Sequence, residues 1–262
     1  MKFPLIAALS AVLLLPLAGT GAASAAAAAH PVKDKTLTAN ALYGSGPLVQ
    51  TTCVEPAIKP NNRTSARKYL DAVFACLEAA WGPRLTAAGL PYEPIKVEHV
   101  TSVPRKWCNG EDSKQAWEFA YCDWDGVLKI KLGGRVLDHV TDLWLFESAA
   151  YMYGLHVTDL TGMYDAGENL RAGSKDEHYE QMRRHSLQAA CLGAVFTKSV
   201  WPLEGRTDVD WQYYLYLLAG DQPGRPREDG SAASLRYWAE RGFATGDPGS
   251  CDTWSAPSSR VS

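Results

Sequence analysis

Several features that would define a function at once are absent from this 262-residue chain. No Cys-x-x-Cys pair is present, which argues against a zinc ribbon or a thioredoxin-like redox site. There is no Gly-x-Ser-x-Gly elbow of a hydrolase and no phosphate-binding Gly-rich loop. An excess of positive charge is also missing, since the formal net charge is −3, the pI is near 6.1 and no basic run occurs. We therefore expect no nucleic-acid partner.

Long apolar runs are absent except at the N-terminus. Lys2 precedes an apolar stretch at 3–17, and small residues follow through Ala29, which is the layout of a secretory signal peptide. The apolar stretch is shorter than the roughly 20 residues that a membrane span needs. The sequence predicts a signal peptide over 1–29, a secreted protein and no stable membrane span. A retained N-terminal anchor is the alternative.

Cysteine is present in a number that carries information. All six cysteines follow the predicted signal peptide, at Cys53, Cys76, Cys108, Cys122, Cys191 and Cys251. An even number in an exported chain predicts three disulfides, although six cysteines allow 15 pairings. The short separation of Cys108 and Cys122 favours a bond that closes a small hairpin. Oxidised cysteines also disfavour a Cys–His nucleophile.

Apolar periodicity predicts a mainly helical α+β fold. Helices are predicted over 65–81, 84–89, 136–158, 176–197, 211–218 and 235–243. Strands are predicted over 95–100, 119–121 and 127–132, the last two forming a hairpin. The helix over 136–158 is apolar on most of its surface, which is typical of a buried central helix.

The mature chain divides into three parts. Residues 30–60 are polar and aperiodic, so they are predicted to form an extended lead with Cys53 as its only anchor. Residues 61–254 are predicted to form one domain. Residues 255–262 are predicted to form a flexible tail.

Five landmarks, in order along the chain, resemble a known family. They are Cys-Leu-Glu-Ala-Ala-Trp at 76–81 with Ala-Gly-Leu-Pro-Tyr at 88–92, Tyr-Cys-Asp at 121–123 before the strand at 127–132, Tyr-Gly-Leu-His-Val at 153–157 with Asp-Leu-Thr-Gly at 159–162, Leu-Gln-Ala-Ala-Cys at 187–191, and Arg-Tyr-Trp at 236–238 with Cys-Asp-Thr-Trp at 251–254. Together they resemble the neutral zinc metallopeptidases found widely in bacteria.

The resemblance covers most of the mature chain and has structural implications. It implies a zincin-like single domain with a small β-hairpin region beside two central helices. It also implies a disulfide pairing, which joins Cys53 to Cys76, Cys108 to Cys122 and Cys191 to Cys251.

The resemblance further implies a zinc site whose ligands this chain lacks. A zincin carries two histidines one helical turn apart, with a general-base glutamate after the first. Those three positions hold Tyr151, Met152 and Leu155 here. The expected third ligand is replaced by Ser186, and an aspartate of the same element by Ala190.

The replacement residues are poor substitutes for these ligands. Leu155 has no donor atom, and the thioether of Met152 accepts no proton and suits Cu(I) rather than Zn²⁺. Tyr151 would bind only as a phenolate, from a group whose ordinary pKa is near 10. The family's later His-Gly pair appears as Asp229-Gly230. We therefore expect no zinc cofactor, and we expect Tyr151, Leu155 and Ser186 to converge on one empty, apolar spot.

Three functional hypotheses follow. The favoured one is a catalytically inactive homologue of a zinc metallopeptidase that could bind a peptide or protein in the former substrate cleft. The alternative is an active zinc-dependent hydrolase with a relocated metal site, built from His156, His178 or His185 with nearby carboxylates. The third is a purely structural exported protein, for which we expect no cleft beside the Tyr151 helix.

Overall fold

The computed structural model describes residues 30–112, 118–138 and 143–262. The predicted signal peptide, 1–29, lies outside the described residues, as do 139–142 within the helix predicted over 136–158. Residues 113–117, between Cys108 and Cys122, are also outside them. Within the described ranges, no helix combines the length and apolar character that a membrane span needs.

Helices dominate the described residues, which confirms a mainly helical α+β fold. The α-helices are α1 (Lys35–Thr38), α2 (Arg63–Ala87), α3 (Arg135–Asp138), α4 (Trp144–Leu160), α5 (Met163–Glu168), α6 (Lys175–Val200), α7 (Asp208–Leu217) and α8 (Ala232–Thr245). Short 3-10 turns cover Ala41–Gly44, Pro248–Cys251 and Ser258–Arg260. The strands are β1 (Lys96–Val100), β2 (Lys106–Trp107), β3 (Glu111–Asp112), β4 (Phe119–Cys122) and β5 (Val127–Lys131).

The predicted hairpin is present and forms part of a three-stranded mixed sheet. β4 pairs antiparallel with β5, with Phe119 opposite Ile130. β1 lies parallel to the other edge of β5, so the strand order is β1-β5-β4. Leu128 and Ile130 of β5 are fully buried in the core. β4 packs against α4, so the sheet lies beside the central helices.

α4 and α6 pack against each other at two glycines. A Cβ atom built on Gly154 of α4 would lie 2.5 Å from the carbonyl oxygen of Ala189 in α6. A Cβ atom on Gly193 of α6 would lie 3.0 Å from the carbonyl carbon of Ala150 in α4. Because only glycine leaves room for this approach, the two backbones are in direct contact.

α6 is also close-packed on its other side. A Cβ atom on Gly242 of α8 would lie 2.3 Å from the carbonyl oxygen of Cys191. α6 is therefore held between α4 and α8, and most of its side chains are buried. The sequence pattern anticipated one apolar face, whereas α6 contacts neighbours on more than one side.

α2 differs from the prediction of two helices separated at Gly82-Pro83. It is one helix that continues through Pro83 to Ala87. A proline inside a helix costs about 3 kcal/mol because a backbone hydrogen bond is lost. Trp81 and Leu85, on either side of this proline, are 1% and 0% exposed. Their burial, at about 1.5–3 kcal/mol for each large apolar side chain, offsets that cost.

The three disulfides join the pairs that the resemblance implies. Cys53 is bonded to Cys76, which ties the N-terminal lead to α2. Cys108 is bonded to Cys122 and closes the excursion before the hairpin. Cys191 is bonded to Cys251 and ties α6 to the 3-10 turn at Pro248–Cys251.

The N-terminal lead has more anchors than the predicted one at Cys53. Leu37, Leu42 and Leu48 are buried in the core. The backbone N–H of Leu48 also donates to the carbonyl oxygen of Gly246 at 2.9 Å. The prediction of a single anchor was wrong because Leu37 lies in the one-turn helix α1, Leu42 in a 3-10 turn and Leu48 in irregular chain. Pieces this short produce no helical or strand periodicity.

The C-terminal segment 255–262 is packed on the domain, in contrast to the predicted flexible tail. Val261 is fully buried, and its carbonyl oxygen accepts a hydrogen bond from Nε of Arg183 at 2.6 Å. Nε1 of Trp238 donates to the carbonyl oxygen of Arg260 at 2.8 Å. The partners of the segment lie far away in sequence, so its polar composition gave no indication of this packing.

We expect Gly154→Ala to destabilise the protein by about 1–3 kcal/mol, because its Cβ would force α4 away from α6. The measurement is urea unfolding with the disulfides intact. Gly44→Ala is the control, since no atom lies within 4 Å of a Cβ built at Gly44. An unchanged or increased stability of Gly154→Ala would contradict direct backbone contact between the two helices.

Candidate functional site

α4 and α6 bring two of the predicted site positions together. The hydroxyl oxygen of Tyr151 lies 3.1 Å from Oγ of Ser186, within hydrogen-bond distance. Burial raises the pKa of Tyr151 to about 12, with Asp229 adding to the rise and the Ser186 hydroxyl opposing it. The phenol is therefore protonated at neutral pH when no metal ion is bound.

The other two positions carry apolar side chains. Met152 is half-buried and packs against the hydrophobic core, and Leu155 is half-buried on the next turn of α4. The expected convergence on an empty, apolar spot needs correction. Tyr151 and Ser186 do meet, but their hydroxyl groups are within hydrogen-bond distance of each other, so the place where they meet is polar and occupied by their own side chains.

A cleft opens next to Ser186, with a volume of about 370 Å³. We call it the Ser186 cleft. Its walls are mostly apolar and are lined by Trp144, Tyr214, Leu217, Leu218 and Leu235. Ser186, Arg135 and Asp229 add side-chain polar groups to this lining. Trp144 belongs to α4, so a cleft does exist beside the helix that carries Tyr151.

The Ser186 cleft carries one charged group of each sign. The guanidinium of the exposed Arg135 lies over the ring of Trp144, 4.7 Å from its centroid. The pKa of Asp229 is raised, first by burial and then by the negative charges of Asp221 and Glu228. The cleft therefore combines apolar walls with a few polar groups, as ligand-binding sites do.

Glu147 is a buried acid that the sequence did not identify as a site residue. It lies one turn before Tyr151 on α4 and is 3% exposed. The hydroxyl of Thr197 in α6 donates to its Oε1 at 2.6 Å. Burial raises the pKa of Glu147 to about 8, and the negative charge of Glu55 adds to the rise. The sequence feature that could have identified Glu147 is a single carboxylate among the apolar residues of the first two turns of α4.

His156 makes structural contacts. Its Nε2 lies 2.8 Å from the carbonyl oxygen of Glu93, so this nitrogen carries a proton. Its Nδ1 lies 2.9 Å from the hydroxyl oxygen of Tyr121, whose single proton is donated to Asp159 at 2.5 Å. Burial lowers the pKa of His156. The ring therefore packs among polar groups between α4 and the sheet.

The other two candidate histidines lie elsewhere. His178 and His185 line a small cavity of about 20 Å³ beside α5. Burial lowers the pKa of His185 to about 4, and its ring packs edge-on against Tyr164 and Trp254. The structure therefore does not bring either histidine together with His156.

Within the described residues, three side chains of metal-ligating type cluster in a single place. They are Cys108, Cys122 and Asp123, and both sulfur atoms are already joined in a disulfide. A disulfide sulfur is not the thiolate that binds a metal ion. Within the described ranges, the relocated metal site has no assembled set of ligands.

Comparison with known proteins finds distant similarity to two proteins of the same name. The chain is 25% identical over 219 residues to the "Uncharacterized protein YpfJ" of Escherichia coli strain K12, covering 76% of this chain and 74% of that protein. The protein of the same name from Escherichia coli O6:H1 strain CFT073 gives the same values. No family model matches the chain, and no solved structure matches it.

We expect Glu147→Gln to change how stability depends on pH. Because the folded-state pKa is raised from 4.5 to about 8, the protonated acid stabilises the fold fully below pH 4.5. That contribution is lost as the pH rises towards 8, at up to about 1.4 kcal/mol per pH unit. A glutamine keeps an oxygen for the Thr197 hydroxyl and does not ionise, so the variant should lose less stability over this window.

Urea unfolding measured from pH 4.5 to pH 8.5 tests this expectation. Glu240→Gln, at an exposed position of α8, is the matched control and should follow the wild-type curve. Identical pH dependence in the wild type and Glu147→Gln would show that Glu147 does not titrate in a buried site.

Proposed function

We propose that this chain is a secreted, catalytically inactive homologue of a zinc metallopeptidase, which binds a peptide or protein segment in the Ser186 cleft. The observation that carries the proposal is the 3.1 Å contact between Tyr151 and Ser186. These residues occupy two positions at which the resembling family has zinc ligands, and they come from different helices. A site assembled from α4 and α6 retains this geometry after its ligands have changed.

The chemistry of the replacement residues supports inactivity. A catalytic zinc site needs three protein ligands and one open position for water. Tyr151 would bind zinc only as a phenolate, Leu155 has no donor atom, and Ser186 offers only a neutral hydroxyl. Met152 occupies the position of the general base and accepts no proton. The family mechanism therefore has neither its metal ligands nor its base.

The Ser186 cleft supports a binding role. Its volume of about 370 Å³ falls within the range of roughly 300–1,000 Å³ typical of ligand pockets. Its apolar walls can take side chains, while Arg135 and Asp229 can orient a polar or charged group. Ser186 lies in this cleft, so binding would occur where the family places its substrate.

The disulfides support secretion. All six cysteines of the chain are in disulfides. Such bonds persist in oxidising compartments and are rare in the cytosol. The predicted signal peptide over 1–29 leads to the same compartment.

We expect the purified protein to carry substoichiometric zinc after chelator treatment and reloading, and to hydrolyse no labelled casein. The physical reason is that no set of three ligands is available at Tyr151, Leu155 and Ser186. Metal analysis and the hydrolysis assay are run on the same sample, with an active zinc peptidase as positive control. One zinc per chain, together with hydrolysis that a chelator abolishes, would support an active hydrolase.

A further inference from the structure

α7 carries an apolar stripe that is exposed to solvent. Val209, Tyr213, Tyr216 and Leu217 are 76%, 53%, 74% and 41% exposed. Their spacing places them on one face of the helix. The opposite face holds the buried Trp211 and is the one packed on the domain. We call the four exposed residues the α7 stripe.

The α7 stripe is continuous with the Ser186 cleft. Leu217 belongs to both, and the chain then passes along the cleft wall through Leu218. The rings of Tyr213 and Tyr216 are nearly parallel, at 21° and 6.4 Å between centroids, and extend the apolar surface away from the cleft. A ligand seated in the cleft can therefore continue over several residues of α7. An extended peptide has the required length, whereas a compact small molecule does not.

Arg135 gives the Ser186 cleft a positive charge. Its guanidinium stacks on Trp144, and among the described residues no carboxylate forms an ion pair with it. Stacking engages the face of the guanidinium and leaves its N–H donors for a ligand. These donors match the two oxygens of a carboxylate.

The charged residues of the cleft decide where a ligand carboxylate binds. Among the described residues that line it, Arg135 supplies the positive charge and Asp229 is an acid. A ligand carboxylate is therefore attracted to Arg135. With the carboxylate there, the apolar side chains of the peptide can follow the α7 stripe from Leu217.

We infer that the Ser186 cleft binds peptides through a carboxylate held by Arg135, with apolar peptide side chains packed along the α7 stripe. This inference rests on the proposed function and names the ligand class of the same cleft. The carboxylate is either a peptide C-terminus or an acidic side chain, because both present the same pair of oxygens.

Fluorescence anisotropy with three pools of labelled pentapeptides tests the inference on the full mature chain. All pools are randomised over leucine, phenylalanine, valine and tyrosine. The first has a free C-terminus, the second has a C-terminal amide, and the third has a C-terminal amide preceded by glutamate. The first or third pool should bind at least about tenfold more tightly than the second, since hydrogen bonds to charged groups contribute about 1.5–3 kcal/mol, a factor of ten or more. Binding of the first or the third alone identifies the source of the carboxylate.

Two variants separate the parts of the site. Arg135→Gln should remove the advantage of the carboxylate pools and leave the amide pool unchanged, whereas Arg67→Gln, on the exposed surface of α2, should have no effect. Tyr216→Ser should weaken binding of every pool. Trp124→Ser is its matched control, because Trp124 is 73% exposed in the turn between β4 and β5.

The outcomes distinguish this inference from the proposed function. If all pools bind equally, or if Arg135→Gln has no effect, carboxylate recognition is wrong while peptide binding stands. If no pool binds the wild type, both carboxylate recognition and the peptide-binding role fail. Sedimentation is measured in parallel, and a wild-type dimer that Tyr216→Ser converts to a monomer would assign the α7 stripe to a second copy and overturn the inference.

Discussion

The direct contact between the backbones of α4 and α6 is the constraint on which the rest of the structure depends. Gly154 and Gly193 permit it, because a Cβ at either position would meet the opposing backbone at 2.5 Å or 3.0 Å. The contact sets the distance between α4 and α6, and at this distance the hydroxyl of Tyr151 reaches Ser186. Tyr151 lies about one helical turn before Gly154 on α4. α8 packs on the far side of α6, so the central helix has no freedom to move away.

The site between α4 and α6 is stabilised by the contact between Tyr151 and Ser186. A buried polar group without a partner costs about 1–3 kcal/mol, so a set of unoccupied metal ligands between two close helices would destabilise the fold. Tyr151 and Ser186 instead satisfy each other. The buried Glu147 also has a hydrogen-bond partner, because the Thr197 hydroxyl donates to it. Burial raises its pKa, which favours the neutral acid. The cleft beside these groups combines apolar walls with a few polar groups.

The sequence predicts the elements well where local patterns decide them. The helix predicted over 176–197 is observed as Lys175–Val200, and the hairpin strands agree within one residue at each end. The predictions that were wrong concern features fixed by contacts between distant segments. They are the burial of Leu42 in the N-terminal lead, the burial of Val261 near the C-terminus and the continuation of α2 through Pro83. The same limit applies to the site. Tyr151 and Ser186 could be singled out from the resemblance, but the stacking of Arg135 on Trp144 and the raised pKa of Glu147 arise only from tertiary packing.

The most direct test of the account is the zinc affinity of a variant with the ligands restored. It combines Tyr151→His, Met152→Glu, Leu155→His and Ser186→Glu, with Met152→Glu alone as the control that adds no family ligand. The account predicts one tightly bound zinc per chain in the restored variant, with nitrogen and oxygen ligands at about 2.0–2.2 Å by X-ray absorption. A restored variant that folds, as judged by circular dichroism, and yet binds zinc no more tightly than the control would contradict it.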